Sequence, residues 1–155
     1  MKNKKTKNLI NYSKSFNISK VTPIYSDVIS TKPVFAFEYI SLDNNNLSFN
    51  SKLINSSKDY VKLFERLKIM SEKTYDELAK DKFYRFHKVD FDSKDVKVPF
   101  SSFMKCLDNK VGQDITVYQF EAFEEVRIFG FLDYRNVFYL VWFDRNHLVY
   151  KRRDK

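Results

Sequence analysis

The feature that most constrains this chain is its C-terminal block, residues 115–150, where apolar segments alternate with short polar breaks. Ile115 to Phe120, Val126 to Phe131 and Val137 to Phe143 are rich in β-branched and aromatic residues, and a short segment, His147 to Tyr150, follows. Such residues pack well on a pleated, half-buried surface. The breaks are Glu121 to Glu125, Asp133-Tyr134-Arg135-Asn136 and Asp144-Arg145-Asn146. Connections this short leave no room for a crossover, so successive strands must run antiparallel. The block is predicted to be a meander and the centre of the fold.

Upstream, Phe35, Phe37 and Tyr39 alternate along Val34 to Ile40, the period of a strand. Asp43-Asn44-Asn45-Asn46 is a turn signal, and Leu47 to Asn50 is expected to return as the second arm of a hairpin. A helix is predicted from Ser57, with Tyr60, Leu63, Phe64 and Leu67 as its apolar stripe. Thr74 and Glu77 have capping-box spacing, so a second short helix starts there. The two make a helical hairpin for one face of the sheet. Phe83 to Phe91 is expected as a strand with Phe83, Arg85, His87 and Val89 on one side; Phe100 to Leu107 is expected as one or two helical turns. The fold class is therefore α+β, a single domain over residues 31–155 preceded by a basic arm over residues 1–30.

Composition narrows the chemistry. Only two glycines occur, Gly112 and Gly130, which excludes a glycine-rich loop for a dinucleotide or nucleoside triphosphate. One cysteine, Cys106, allows no intramolecular disulfide or thiolate cluster, and two histidines argue against a His-rich metal site. No cofactor and no metal are expected. The start of the chain is charged but lacks the apolar run of a signal peptide, and no stretch is apolar enough to span a membrane. A cytoplasmic protein is expected. A net charge of +8 suits a polyanionic partner.

The order of strand, helical hairpin and meander in a basic chain resembles the RelE/ParE superfamily of toxin folds, many of whose members cut mRNA. The likeness is strongest over Val126-Arg127-Ile128-Phe129-Gly130-Phe131, Val137 to Trp142, and His147-Leu148-Val149-Tyr150. It implies a RelE-like toxin of a toxin–antitoxin pair, a metal-independent endoribonuclease with RNA (ribosome-bound mRNA among its forms) and an antitoxin as partners. Arg127 matches the family's strand arginine and would clamp the phosphate with its planar, permanently charged fork. His147 and Tyr150 match its C-terminal basic and aromatic pair: His147 would move the proton, and Tyr150 would stack on or deprotonate the nucleotide.

Other candidates surround these. Arg85 and His87 share a strand face by their spacing and would add a guanidinium and an imidazole. Arg145 is a cationic substitute for His147, and Lys151, Arg152 and Arg153 are candidate phosphate contacts. The strand before Arg127 is apolar and acidic, Tyr118 to Glu125, where several ribosome-dependent members carry lysines; Glu121 there is a candidate general base. This departure, with about thirty extra residues before the first strand, keeps two other functions open. One is a non-enzymatic binding protein of a phage or mobile element that inhibits a nucleic-acid machine. The other is a gyrase-directed toxin on the same scaffold.

Overall fold

A computed structural model describes residues 30–43, 45–50, 52–108, 111–112 and 114–152. The arm predicted over residues 1–30 lies outside them, save its last residue. The elements are β1 (Val34–Ala36), α1 (Ser57–Ser71), α2 (Tyr75–Lys80), β2 (His87–Lys88), α3 (Phe100–Lys105), β3 (Val117–Glu121), β4 (Arg127–Leu132) and β5 (Val137–Asp144). They form an α+β fold around one five-stranded sheet of order β1-β5-β4-β3-β2. The meander β3-β4-β5 is antiparallel as expected, while β1 joins the far edge parallel to β5, which makes the sheet mixed.

Alternation along the strands sends side chains into two cores. One holds Tyr118, Phe120, Ile128, Leu132, Phe138, Leu140 and Phe143 against Leu63, Leu67 and Met70 of α1 and Tyr75 and Leu78 of α2. The other holds Val117, Phe129, Phe131, Tyr139, Val141 and Trp142 against Phe103 and Met104 of α3. The helical hairpin thus covers one face, and the predicted turns at Phe100 form a helix on the other. Every residue of β4 is buried.

Several expected details differ. The α1 stripe is rotated: Tyr60 and Phe64 are exposed, at 47% and 59%, while Asp59, Leu63, Leu67 and Met70 face inward. Asp59 drives the rotation, because its carboxylate accepts from Asn55 N (3.1 Å) and pairs with Arg145 beneath the helix. The α2 capping box forms, with Glu77 N donating to Thr74 Oγ1 (3.2 Å) and Thr74 N donating to Glu77 Oε2 (2.7 Å). Residues 47–50 form no hairpin with β1. Instead Ser41 N donates to Val141 O and Phe143 N donates to Leu47 O, both at 2.9 Å, so this loop covers the edge of β5 beyond β1.

The strand expected over Phe83 to Phe91 shrinks to β2. His87 pairs with Gln119, yet Glu121 N donates to Tyr84 O (2.7 Å), so one extra residue stands against Phe120. Arg85 absorbs it with a left-handed φ of 48°. Phe83 is left exposed, and Tyr84 and Phe86 both turn into the core. His147 to Tyr150 is likewise no regular strand; it is a turn followed by a single antiparallel bridge from Tyr150 to Val96.

The register of β4 on β5 skips Val141 between the Phe129–Trp142 and Gly130–Leu140 pairs. At that bulge a Cβ on Gly130 would lie 2.1 Å from Tyr139 O and 2.6 Å from the Phe138 ring. Gly130→Ala is expected to cost about 3 kcal/mol or more, because backbone must move, and urea unfolding measures it. Tyr118, stacked on Phe86 at 5.3 Å, has its hydroxyl pushed up to about 12 by burial. The folded state therefore prefers the neutral phenol. This contribution is complete below pH 10 and is lost as pH rises through about 12. Tyr118→Phe should flatten the loss of stability measured by urea unfolding between pH 10 and 12.

Candidate functional site

Beyond α3, the same face of the sheet becomes polar. Two cross-strand rows lie there, Glu121–Arg127–Asp144 and His87–Gln119–Phe129–Trp142. Strand alternation puts every one of these side chains on the α3 side. The segment after β5 folds back over them. Asp144 turns it, its carboxylate accepting from Leu148 N (2.9 Å) and Val149 N (3.1 Å). The loop before α3 holds it down, with Lys97 N donating to Val149 O (2.7 Å) and Lys151 N to Asp95 O (2.8 Å). Between this strap, β2 and the row ends lies an open cleft of about 1160 Å³.

Arg127 forms the floor, its side chain only 10% exposed. It donates to Glu121 Oε2 (2.8 Å) and to Glu125 O (3.1 Å). Arg85 reaches the same Glu121 oxygen at 3.0 Å from the rim. Burial pushes the Arg127 guanidinium down from its ordinary value, and the Glu121 carboxylate pulls it back up. One carboxylate oxygen thus holds two guanidiniums together, a seat already shaped for an anion.

The two imidazoles differ. His87 Nδ1 sits 2.7 Å from Lys88 O, a carbonyl that only accepts, so Nδ1 carries a proton. Its Nε2 lies 2.7 Å from Gln119 Nε2 and, in the neutral ring, accepts from that amide. This tautomer follows from the hydrogen-bond pattern. His147, in contrast, has a buried Nε2 without a hydrogen-bond partner, and the exposed Glu125 carboxylate lies 3.7 Å from it. Tyr150 is stacked on Phe129 (6.3 Å) with the His87 ring at its edge. Burial and the nearby Asp90 raise its hydroxyl, which keeps its proton.

Arg127, His147, Tyr150, Arg85, His87, Lys151 and Arg152 therefore meet in one cleft. Glu121, expected as a base, binds both arginines beside it. Arg145 stands apart: it points to the α1 side, where it pairs with Asp59 and donates to Leu53 O, a place set by the need to match that buried carboxylate. Arg153 lies outside the described residues. Sequence reasoning missed Gln119 and Asp144. The signal for Gln119 was a lone amide among apolar residues on β3; Asp144 looked like part of a polar turn. Among the described residues, no group of three His, Cys, Asp or Glu is arranged to hold a metal, and no helix is long and apolar enough to cross a membrane.

A family model described as Uncharacterised protein UU032 matches residues 32–155. The chain belongs to that family. No curated protein and no solved structure matches it. The matched span contains every cleft residue named above.

Three of the six left-handed non-glycine residues among the described ones border this cleft: Arg85 (φ 48°), Glu125 (67°) and His147 (55°). Glu124 and Glu125 occupy a turn closed by Val126 N donating to Phe123 O (2.7 Å), a geometry for which glycine is suited. Because the Glu125 side chain is largely exposed, Glu125→Gly should raise stability by about 1 kcal/mol in urea unfolding.

Proposed function

We propose that the cleft binds and cleaves single-stranded RNA without a metal, and that the protein acts in the cytoplasm as a RelE-like, growth-inhibitory toxin held in check by an antitoxin. The observation that carries this reading is the convergence of Arg127, Arg85, His87, His147 and Tyr150 on one cleft from segments far apart in sequence. The order of strand, helical hairpin and meander supports the scaffold part of it. A net charge of +8 supports a polyanionic partner.

Each group has a chemical task. His147 Nε2 takes the proton of the 2′-hydroxyl once substrate displaces the surface carboxylate of Glu125. The freed oxygen attacks phosphorus, and Arg127 with Arg85 stabilises the doubly charged phosphorane as the anion replaces Glu121. The bond to the 5′-oxygen breaks, and that oxygen takes its proton from water, while the neutral His87 ring, anchored on Lys88 O, holds the Gln119 amide. The products are a 2′,3′-cyclic phosphate and a 5′-hydroxyl. Tyr150, held protonated, donates to a phosphate oxygen or packs beneath the sugar.

The opposing observation is the acidic lining: Asp81, Asp90, Asp95 and Glu125 share the cleft with the cations. It favours the second reading, a non-enzymatic inhibitor of a nucleic-acid machine that recognises a mixed-charge protein surface. Purified protein incubated with single-stranded RNA in EDTA separates the two. Cleavage to cyclic-phosphate ends is expected, with His147→Ala lowering the rate at least about 100-fold. Arg127→Lys, which keeps the buried charge but loses the fork, should also lower it strongly. An unreactive wild-type protein, or full activity in the variant carrying both Arg127→Lys and His147→Ala, would overturn the nuclease reading.

A further inference from the structure

Gln119 is 4% exposed, yet it lines the cleft, and its Oε1 is buried without a hydrogen-bond partner. Its amide nitrogen is spent on His87 Nε2. A buried carbonyl oxygen without a donor is costly and rare, and on a cleft wall it calls for a donor brought by the ligand. We propose that Gln119 is a specificity residue that accepts a hydrogen bond from the 2′-hydroxyl of the ribose on the leaving-group side of the phosphate, not the attacking one, so that the cleft selects RNA over DNA. This rests on the cleft being a phosphodiester site.

The placement supports the assignment. Gln119 lies two residues along β3 from Glu121, on the same face, and Glu121 is the cross-strand partner of Arg127. That step is about 6.8 Å, close enough for a ribose joined to a phosphate at Arg127 to reach Gln119. A phosphate oxygen cannot satisfy Oε1, since both only accept; a hydroxyl can. The terminal amide torsion is soft, so a small turn carries Oε1 toward a hydroxyl entering over the exposed His87 ring. Lys88 O still anchors that ring through Nδ1. DNA would leave the buried acceptor unpaired, the situation in which polar sites discriminate most strongly.

The test uses the full chain carrying His147→Ala, to suppress turnover, and fluorescence anisotropy with a short single-stranded RNA and the deoxyuridine DNA of the same sequence. RNA is expected to bind about 10-fold tighter than DNA. Adding Gln119→Met, close in volume but without the acceptor, should remove that preference by bringing the RNA affinity down to that for DNA. Gln119→Glu, which retains an acceptor, should weaken both ligands by repulsion and keep the ratio. Equal RNA and DNA affinity in the parent, or an unchanged preference in Gln119→Met, would overturn the role of Gln119 and leave the phosphodiester cleft standing. Failure of both nucleic acids to bind would overturn the cleft reading itself.

Discussion

Burial of β4 along its whole length governs this structure. A central strand covered on both faces has no solvated side, so its first residue, Arg127, must carry its charge under the sheet. Such a charge persists only where it is matched, and the match is Glu121, its direct cross-strand partner. That pair fixes the end of the β3-β4 hairpin. Around it Arg85 folds in, and the tight turn at Glu124 and Glu125 forms. The acidity of the strand before Arg127, which looked in the sequence like a departure from a phosphate-binding surface, is a requirement for placing an arginine there.

The same pair gives the cleft its character. An arginine already seated on a carboxylate is oriented and desolvated before any ligand arrives, which reduces the cost of organising it later. The carboxylate also competes with an incoming anion. Affinity for any anion that displaces Glu121 is then set by the difference between two good arrangements. An exposed arginine with no partner would bind more readily and hold its geometry less well.

Much of the architecture was legible in the sequence. The antiparallel meander, the two helices and the capping box at Thr74 were visible because alternation, periodicity and capping are local. The misread parts depended on contacts remote in sequence. The α1 stripe turned because Asp59 meets Arg145, eighty-six residues away. The predicted strand at Phe83 lost its alternation to an extra residue opposite Phe120, which no local pattern announces. For the cleft, residue type found Arg127, His87, His147 and Tyr150. It could not find Gln119, which stands out only by a buried oxygen without a partner, nor separate Arg145, whose chemistry suits the cleft but whose partner lies on the other side of the sheet.

The parallel pairing of β1 with β5 has a consequence for the order of assembly. Val34 meets Val137 across roughly a hundred residues of chain, whereas β3, β4 and β5 meet through turns of a few residues. Loop closure penalises the distant pairing, so the hairpins can form early and the β1 edge closes late. Until it does, the outer edge of β5 presents unpaired backbone groups, a template for another chain. Ser41 and Leu47, which bond Val141 and Phe143 beyond the end of β1, extend the closure along that edge. A polypeptide emerging from synthesis would carry β1 as an unattached flap until β5 appeared, and crowding during that interval is when this fold is most exposed to aggregation.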